Sequence, residues 1–287
     1  MEQVAALNEE AIEAWNGPLF DRFLAFRPIV TTGLGKHGEA LLAWQPPRAG
    51  DRVLDVGCGF GDTTQRLAGI VGPTGSAVGI DAAERFIELA RTEARDAGLE
   101  NVGFAVGDAQ VMTFEEQFDY AFSRMGTMFF ASPVAALRNV RASLRPGGRL
   151  VMVVWRRRED NGWVYVSQTV VEQLVGHAEN DDEPTCGPGP FSMAGADTVS
   201  DQLLAAGFRD IGLERCDLPI LMGRDLDEAI RFNVAIGPAG ELLRLAGDDA
   251  APLLPQVDAE LREALAPFVR DGGVWGTAST WIISAVA

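Results

Sequence analysis

The residues Asp55-Val56-Gly57-Cys58-Gly59-Phe60-Gly61 close a short apolar run, Arg52–Val56, with glycine at alternate positions. Glycines spaced this way let the backbone turn sharply and approach a ligand with no Cβ in between. The helix expected after them offers unpaired N–H groups at its start. A dinucleotide fingerprint needs G-x-G-x-x-G, but its last position falls on Asp62 when counted from Gly57 and on Thr64 when counted from Gly59. A diphosphate would also have to lie beside the carboxylates of Asp55 and Asp62. The arrangement suits a cationic or zwitterionic ligand better.

Two more acids recur at a regular interval. Asp81 ends the next apolar run, 26 positions after Asp55, and Asp108 in Gly107-Asp108-Ala109-Gln110 follows 27 positions later. An acid at the end of a second strand can accept hydrogen bonds from both ribose hydroxyls of an adenosine lying across the strand ends. The Asp108 carboxylate can accept from an adenine amino group. Three acids then share one edge of a sheet, the edge at which open α/β sheets bind ligands.

The elements that would position them follow from periodicity. Short apolar runs at Arg52–Val56, Gly75–Asp81, Val102–Val106, Phe118–Ser123 and Arg149–Trp155 alternate with helical spacing over 61–71, 83–97 and 132–145. This rhythm predicts βαβ units and a parallel sheet covered on both faces. Residues 1–47 read as an N-terminal helical annex, with helices over 2–15 and roughly 19–45. The core spans 48–155. Residues 156–287 hold helices at 163–176, 197–206 and across most of 224–270, with strands near 209–218 and 276–285.

These stretches together resemble the class I S-adenosylmethionine-dependent methyltransferases. LDVGCGFG is similar to that family's first motif, GID to its acidic second-strand end, and GDAQ to its adenine motif. FDYAFS looks like the fourth strand and LRPGGRLVMV like the turn into the fifth, so the likeness runs motif by motif over about 50–155. AAGFRDIGLERCDL is similar to the approach to the sixth strand. WNGPLFDRF, SRMGTMFFASPVAALRNV and DEAIRF…GP resemble bacterial small-molecule methyltransferases of quinone biosynthesis and natural-product tailoring.

The resemblance implies a doubly wound, mostly parallel, seven-stranded Rossmann-like α/β sheet with helical lid insertions. It implies S-adenosyl-L-methionine as cofactor and transfer of its methyl group to a small-molecule acceptor, with O-, C- or N-methylation left open. It places Asp55, Gly57, Cys58 and Gly59 around the methionine part, Asp81 and Ala82 at the ribose, Asp108, Ala109 and Gln110 at the adenine, and Ser123 near the methyl.

Acceptor contacts are expected from the annex and from the 156–196 and 224–270 segments. Trp15, Phe20, Arg124, Met125, Trp155 and Trp163 are the candidates, with core packing the alternative for the aromatics and Met125, and an ion pair for Arg124. His37 and His177 are the only histidines. His37 is a candidate substrate contact and reads otherwise as a helix-start or surface residue. No catalytic base and no metal ligand is assigned.

Charge excludes other classes. With 41 acids against 24 bases, the formal net charge is −17, a poor match for the phosphates of nucleic acid or an anionic membrane. The triplet Arg156-Arg157-Arg158 is followed at once by Glu159 and Asp160, and SRMG stands where a nucleic-acid methyltransferase carries a D/N-P-P-Y-like run. No apolar run reaches the roughly 18 residues of a membrane span. The acidic MEQVAALNEEAIEAW is unlike a secretory signal, and the scattered Cys58, Cys186 and Cys216 form no disulfide framework. A cytoplasmic monomer or homodimer is expected. A nicotinamide-dependent oxidoreductase and a non-catalytic S-adenosylmethionine-binding protein are the rivals.

Overall fold

Runs such as Val53-Leu54 point apolar side chains to both faces of a strand, so they need helices on both sides of the sheet. The computed structural model describes residues 8–115, 117–176 and 189–287 and shows that arrangement. His177, Cys186 and the first residues of the helix expected over 2–15 lie outside the described residues. The strands are β1 (Arg52–Val56), β2 (Ser76–Asp81), β3 (Val102–Val106), β4 (Phe118–Arg124), β5 (Leu144–Trp155), β6 (Arg209–Gly223), β7 (Val269–Arg270) and β8 (Gly273–Val286). The sheet order is β3-β2-β1-β4-β5-β8-β6. β1 to β5 are parallel, and β8 runs antiparallel between β5 and β6. The two-residue β7 folds back on β8, adding a small eighth strand to the seven expected.

β6 was expected to stop at 218 but continues to Gly223. It lies at the edge of the sheet, where Pro219 can sit without removing an interior ladder bond. Strand order reverses between β1, which leads toward β2 and β3, and β4, which leads the other way. The carboxyl ends of these two strands therefore flank a crevice.

Alternation along the central strands divides the core into two layers. Val53, Tyr120, Phe122, Val151 and Val153 face Leu41, Leu42 and Leu67, whereas Leu54, Ala121, Met152 and Val154 face the larger opposite layer. Leu41 and Leu42 belong to α3 (Gly35–Trp44), and Leu67 to α4 (Asp62–Val71). The region expected as one helical stretch over 19–45 is thus divided. α1 (Glu9–Asn16) and α2 (Pro18–Ala25) remain an annex, while a π-type turn at Ile29–Gly33 separates them from α3, which covers the sheet. Pro28 prevents α2 from running on.

The other helices are α5 (Glu84–Asp96), α6 (Pro133–Ser143), α7 (Gly162–Val175), α8 (Ala196–Ala206), α9 (Leu226–Ala235), α10 (Pro238–Ala246) and α11 (Leu254–Leu265). α5 supplies Phe86 to a third, smaller cluster, in which Phe20 of the annex meets Phe60 of the glycine loop. No described helix is long and apolar enough to cross a membrane.

Phe122 is fully buried on the central strand β4. Phe122→Ala should cost about 3–5 kcal/mol of stability. In urea unfolding this should appear as a lower midpoint with an unchanged slope.

Candidate functional site

The loop after β1 is held by its neighbour strand. Gly57 N and Cys58 N both donate to Ile80 O, at 2.9 and 3.0 Å. Gly59 N then donates to Asp81 Oδ2 at 2.9 Å, and Ala83 N to Asp81 Oδ1 at 3.0 Å. One carboxylate thus anchors both the glycine loop and the start of α5. Gly59 has a left-handed φ of 52°, and a Cβ built there would meet no atom within 4 Å. The space belongs to a cavity that Gly59 lines. Gly61 is needed for the opposite reason: a Cβ there would lie 2.8 Å from Ala90 Cβ and from the Phe104 ring.

Asp55 is buried behind this loop and accepts a 2.7 Å hydrogen bond from Thr64 Oγ1. Burial pushes its carboxyl up to about 7, against the opposing pull of the Thr64 hydroxyl and the Arg124 charge. Burial also raises the Asp81 carboxyl, even with the Ala83 and Gly59 amides bonded to it.

The third acid is engaged by the annex. Asp108 Oδ1 accepts from Gln110 N at 2.9 Å, and Asp108 Oδ2 accepts from Asn8 Nδ2 at 3.0 Å. Gln110 Nε2 lies 3.2 Å from both Asp108 oxygens, and Gln110 Oε1 accepts from Ser132 N at 2.7 Å.

A single cavity of about 720 Å³ runs over the strand ends, within the roughly 300–1,000 Å³ usual for small-molecule sites. It brings together Gly57, Cys58, Gly59, Asp81, Ala82, Asp108 and Ala109 with Trp15, Arg124, Met125, Trp155 and Trp163. Met125 holds a left-handed φ of 62° at the wall, a conformation that costs a non-glycine residue about 1–3 kcal/mol. Arg124 both lines the cavity and pairs with Asp62 at 2.8 Å.

Five expected residues stand behind the wall. Asp55 and Gln110 support the loops as described. Ser123 is fully buried and donates to Val56 O at 2.8 Å, tying β4 to β1. Phe20 packs on Phe86 and Phe60, with centroids 4.8 and 6.3 Å away.

His37 is no surface residue. It is fully buried in the first turn of α3, and its Nε2 donates to Ala278 O at 2.9 Å. Burial lowers its pKa and keeps it neutral. The cavity wall also includes Asn8, Phe191, Phe232 and Asn233, which the sequence reading did not single out. Each is a lone side chain on an amphipathic or irregular stretch, and only the DEAIRF segment around Phe232 carried any signal.

The match to known proteins agrees with this fold. Residues 47–198 match the family model described as a methyltransferase domain. That is just over half of the chain, which belongs to this family of S-adenosylmethionine-dependent methyltransferases. Over 105 residues the chain is 39% identical to the demethylmenaquinone methyltransferase of Staphylococcus aureus strain JH9, covering 36% of this chain and 43% of that protein. The chain therefore spans less than half the length of the curated relatives it matches.

Among solved structures, the YcgJ protein from Bacillus subtilis has a TM-score of 0.55 at 20% identity, covering 89% of this chain and 97% of that one. The phosphoethanolamine N-methyltransferase 2 of Haemonchus contortus, in complex with S-adenosyl-L-methionine, has a TM-score of 0.51 at 18% identity, over 88% and 52%. Both likenesses concern the fold.

The residues present fit S-adenosylmethionine. Gly59 leaves an open cradle that a side chain would fill, and Asp62, Asp81 and Asp108 all line the cavity. A positively charged sulfur is favoured among such acids, and a diphosphate is not.

Asp55 gives a test of these electrostatics. Its folded pKa lies above its ordinary 3.8, so the folded state keeps a proton that the unfolded chain releases. Stability from this group is present below about pH 4 and lost as the pH rises toward 7. Urea unfolding at a series of pH values should show wild type losing stability over that window relative to Asp55→Asn. Parallel curves would contradict the buried, protonated carboxyl.

Proposed function

We propose that this chain transfers the methyl group of S-adenosylmethionine to a small-molecule acceptor. The observation that carries the reading is continuity: one cavity runs from Asp81 and Asp108 at the ends of β2 and β3, past the glycine bend, to Trp155 at the end of β5 and Trp163 on α7. Cofactor and acceptor then lie end to end in a single space.

When bound, the cofactor supplies a methyl group on a positively charged sulfur that is already activated for in-line displacement. The chain's residues have the task of holding and aligning. Asp81, oriented by the Gly59 and Ala83 amides, accepts the ribose hydroxyls. Asp108 and Ala109, steadied by Gln110, frame the adenine. Gly57, Cys58 and Gly59 bring the backbone against the methionine part, while Asp55 and Ser123 stiffen the strand ends beneath it. Alignment of this kind can remove about 7–11 kcal/mol of a barrier. No histidine lies among the described lining residues; orientation and exclusion of water by the aromatic wall carry the reading.

The nicotinamide alternative is disfavoured by the same acids. Asp62 and Thr64 take the places where its fingerprint needs glycine, and Thr64 is fully buried and committed to Asp55. The charge of −17 speaks against a nucleic-acid acceptor.

Calorimetry with S-adenosylhomocysteine should show binding to wild type. Asp81→Asn should weaken it roughly 10- to 100-fold, the worth of hydrogen bonds to a charged acceptor. Incubation with methyl-labelled cofactor and a panel of small molecules should move label onto an acceptor. Binding without transfer would favour a sensor, and tight NAD(H) binding with no S-adenosylhomocysteine binding would favour the oxidoreductase.

A further inference from the structure

The far half of the cavity is built differently from the half that faces the glycine loop. Strand order reverses between β1 and β4, so a nucleoside held at the ends of β2 and β3 leaves the space over β4 and β5 for the acceptor. That space is walled by rings. Trp163 stacks on Phe232 with centroids 5.9 Å apart and planes 25° apart, and Trp155 meets Trp163 edge-on at 6.3 Å. From the annex side, Trp15 meets Phe129 at 5.1 Å. Aromatic faces and edges favour another ring over a flexible chain. Two charged groups in this wall arrive already paired: Arg158 with Glu172 at 3.3 Å and Glu241 with Arg244 at 2.8 Å.

Asn233, the neighbour of Phe232 on α9, interrupts the apolar wall together with Ser167 and Gln168 of α7. It is 3% exposed and lines the cavity. Its Nδ2 donates to Ala229 O one turn back at 2.9 Å, which fixes the amide's orientation. Its Oδ1 has no partner among the described residues. An acceptor left open at a cavity wall is available to a ligand that can donate to it, and it discriminates against a ligand that cannot.

We propose that the aromatic chamber takes a planar aromatic acceptor bearing an O–H or N–H group, and that Asn233 Oδ1 receives that hydrogen bond. The proposal rests on the methyltransferase reading and names its substrate class. An amide oxygen does not take up a proton, so Asn233 is a positioning residue: it turns the donor-bearing edge of the ring and thereby sets which atom faces the methyl.

The test uses the full chain, with and without saturating S-adenosylhomocysteine, titrated calorimetrically with three probes. 4-Phenylphenol has both rings and a donor, biphenyl has the rings only, and 1-dodecanol has a donor on a flexible chain. 4-Phenylphenol should bind wild type about tenfold more tightly than biphenyl, the worth of one net hydrogen bond, and more tightly than 1-dodecanol, which has the donor but no ring. Asn233→Leu should lower 4-phenylphenol affinity to that of biphenyl while leaving biphenyl binding unchanged. Equal affinity for 4-phenylphenol and 1-dodecanol would overturn the aromatic assignment. Equal affinity for 4-phenylphenol and biphenyl on wild type, or equal losses for both in Asn233→Leu, would overturn the role of Asn233. The wild-type contrasts hold even if the variant does not fold. Absence of S-adenosylhomocysteine binding would instead count against the cofactor reading, while titration of the chamber without it still tests the aromatic assignment.

Discussion

The site depends on one carboxylate. Asp81 accepts from the Gly59 amide with one oxygen and from the Ala83 amide with the other, so the glycine loop and the start of α5 share a single anchor. Each oxygen keeps a lone pair for a ligand. The bonds to two amides do not offset the loss of water, and burial still raises the pKa of the group. A charge in this position is best compensated by ligand hydroxyls and a nearby positive centre. The anchor and the ligand preference are therefore consequences of the same desolvation.

The annex closes the site by joining residues that the core already uses. Asn8 reaches the Asp108 carboxylate, and Phe20 packs between Phe60 of the loop and Phe86 of α5. Arg85 donates to Asn16 O and to Asp21, and its guanidinium lies 4.0 Å from the Phe20 ring centroid. The Arg85–Asp21 pair is exposed and screened by water and salt, so the buried rings hold the annex down. A cover fixed to the loop that it shields couples access to the cavity with the order of its floor.

Strain and burial gather at the strand switch. Met125 keeps its left-handed backbone because its N–H donates to Val153 O at 2.9 Å, which extends the β4–β5 ladder past the end of the strand. Next to it, Arg124 is only 12% exposed and is neutralised by Asp62. A pair buried to this degree loses much of its Coulomb gain to desolvation. It contributes less to stability than to fixing where the cavity wall stands between the glycine bend and the aromatic chamber.

The sequence by itself determined the βαβ rhythm, the glycine bend and the three spaced acids, because each rests on local periodicity or on a backbone that only glycine relieves. Tertiary structure alone decided which of the named side chains reach the cavity. Asp55, Ser123 and Gln110 lie in the motifs yet stand behind the wall, since alternate residues of a strand end point to opposite faces and a loop residue can turn toward its own acid. His37 looked available and is sealed in the core, because α3 lies on the sheet and not in the annex. Asn233 and Phe232 on α9, Trp163 on α7 and Trp155 at the end of β5 come from parts of the chain far apart. Their convergence depends on how α7 and α9 pack against β8 and β6, a contact that no stretch of sequence encodes locally.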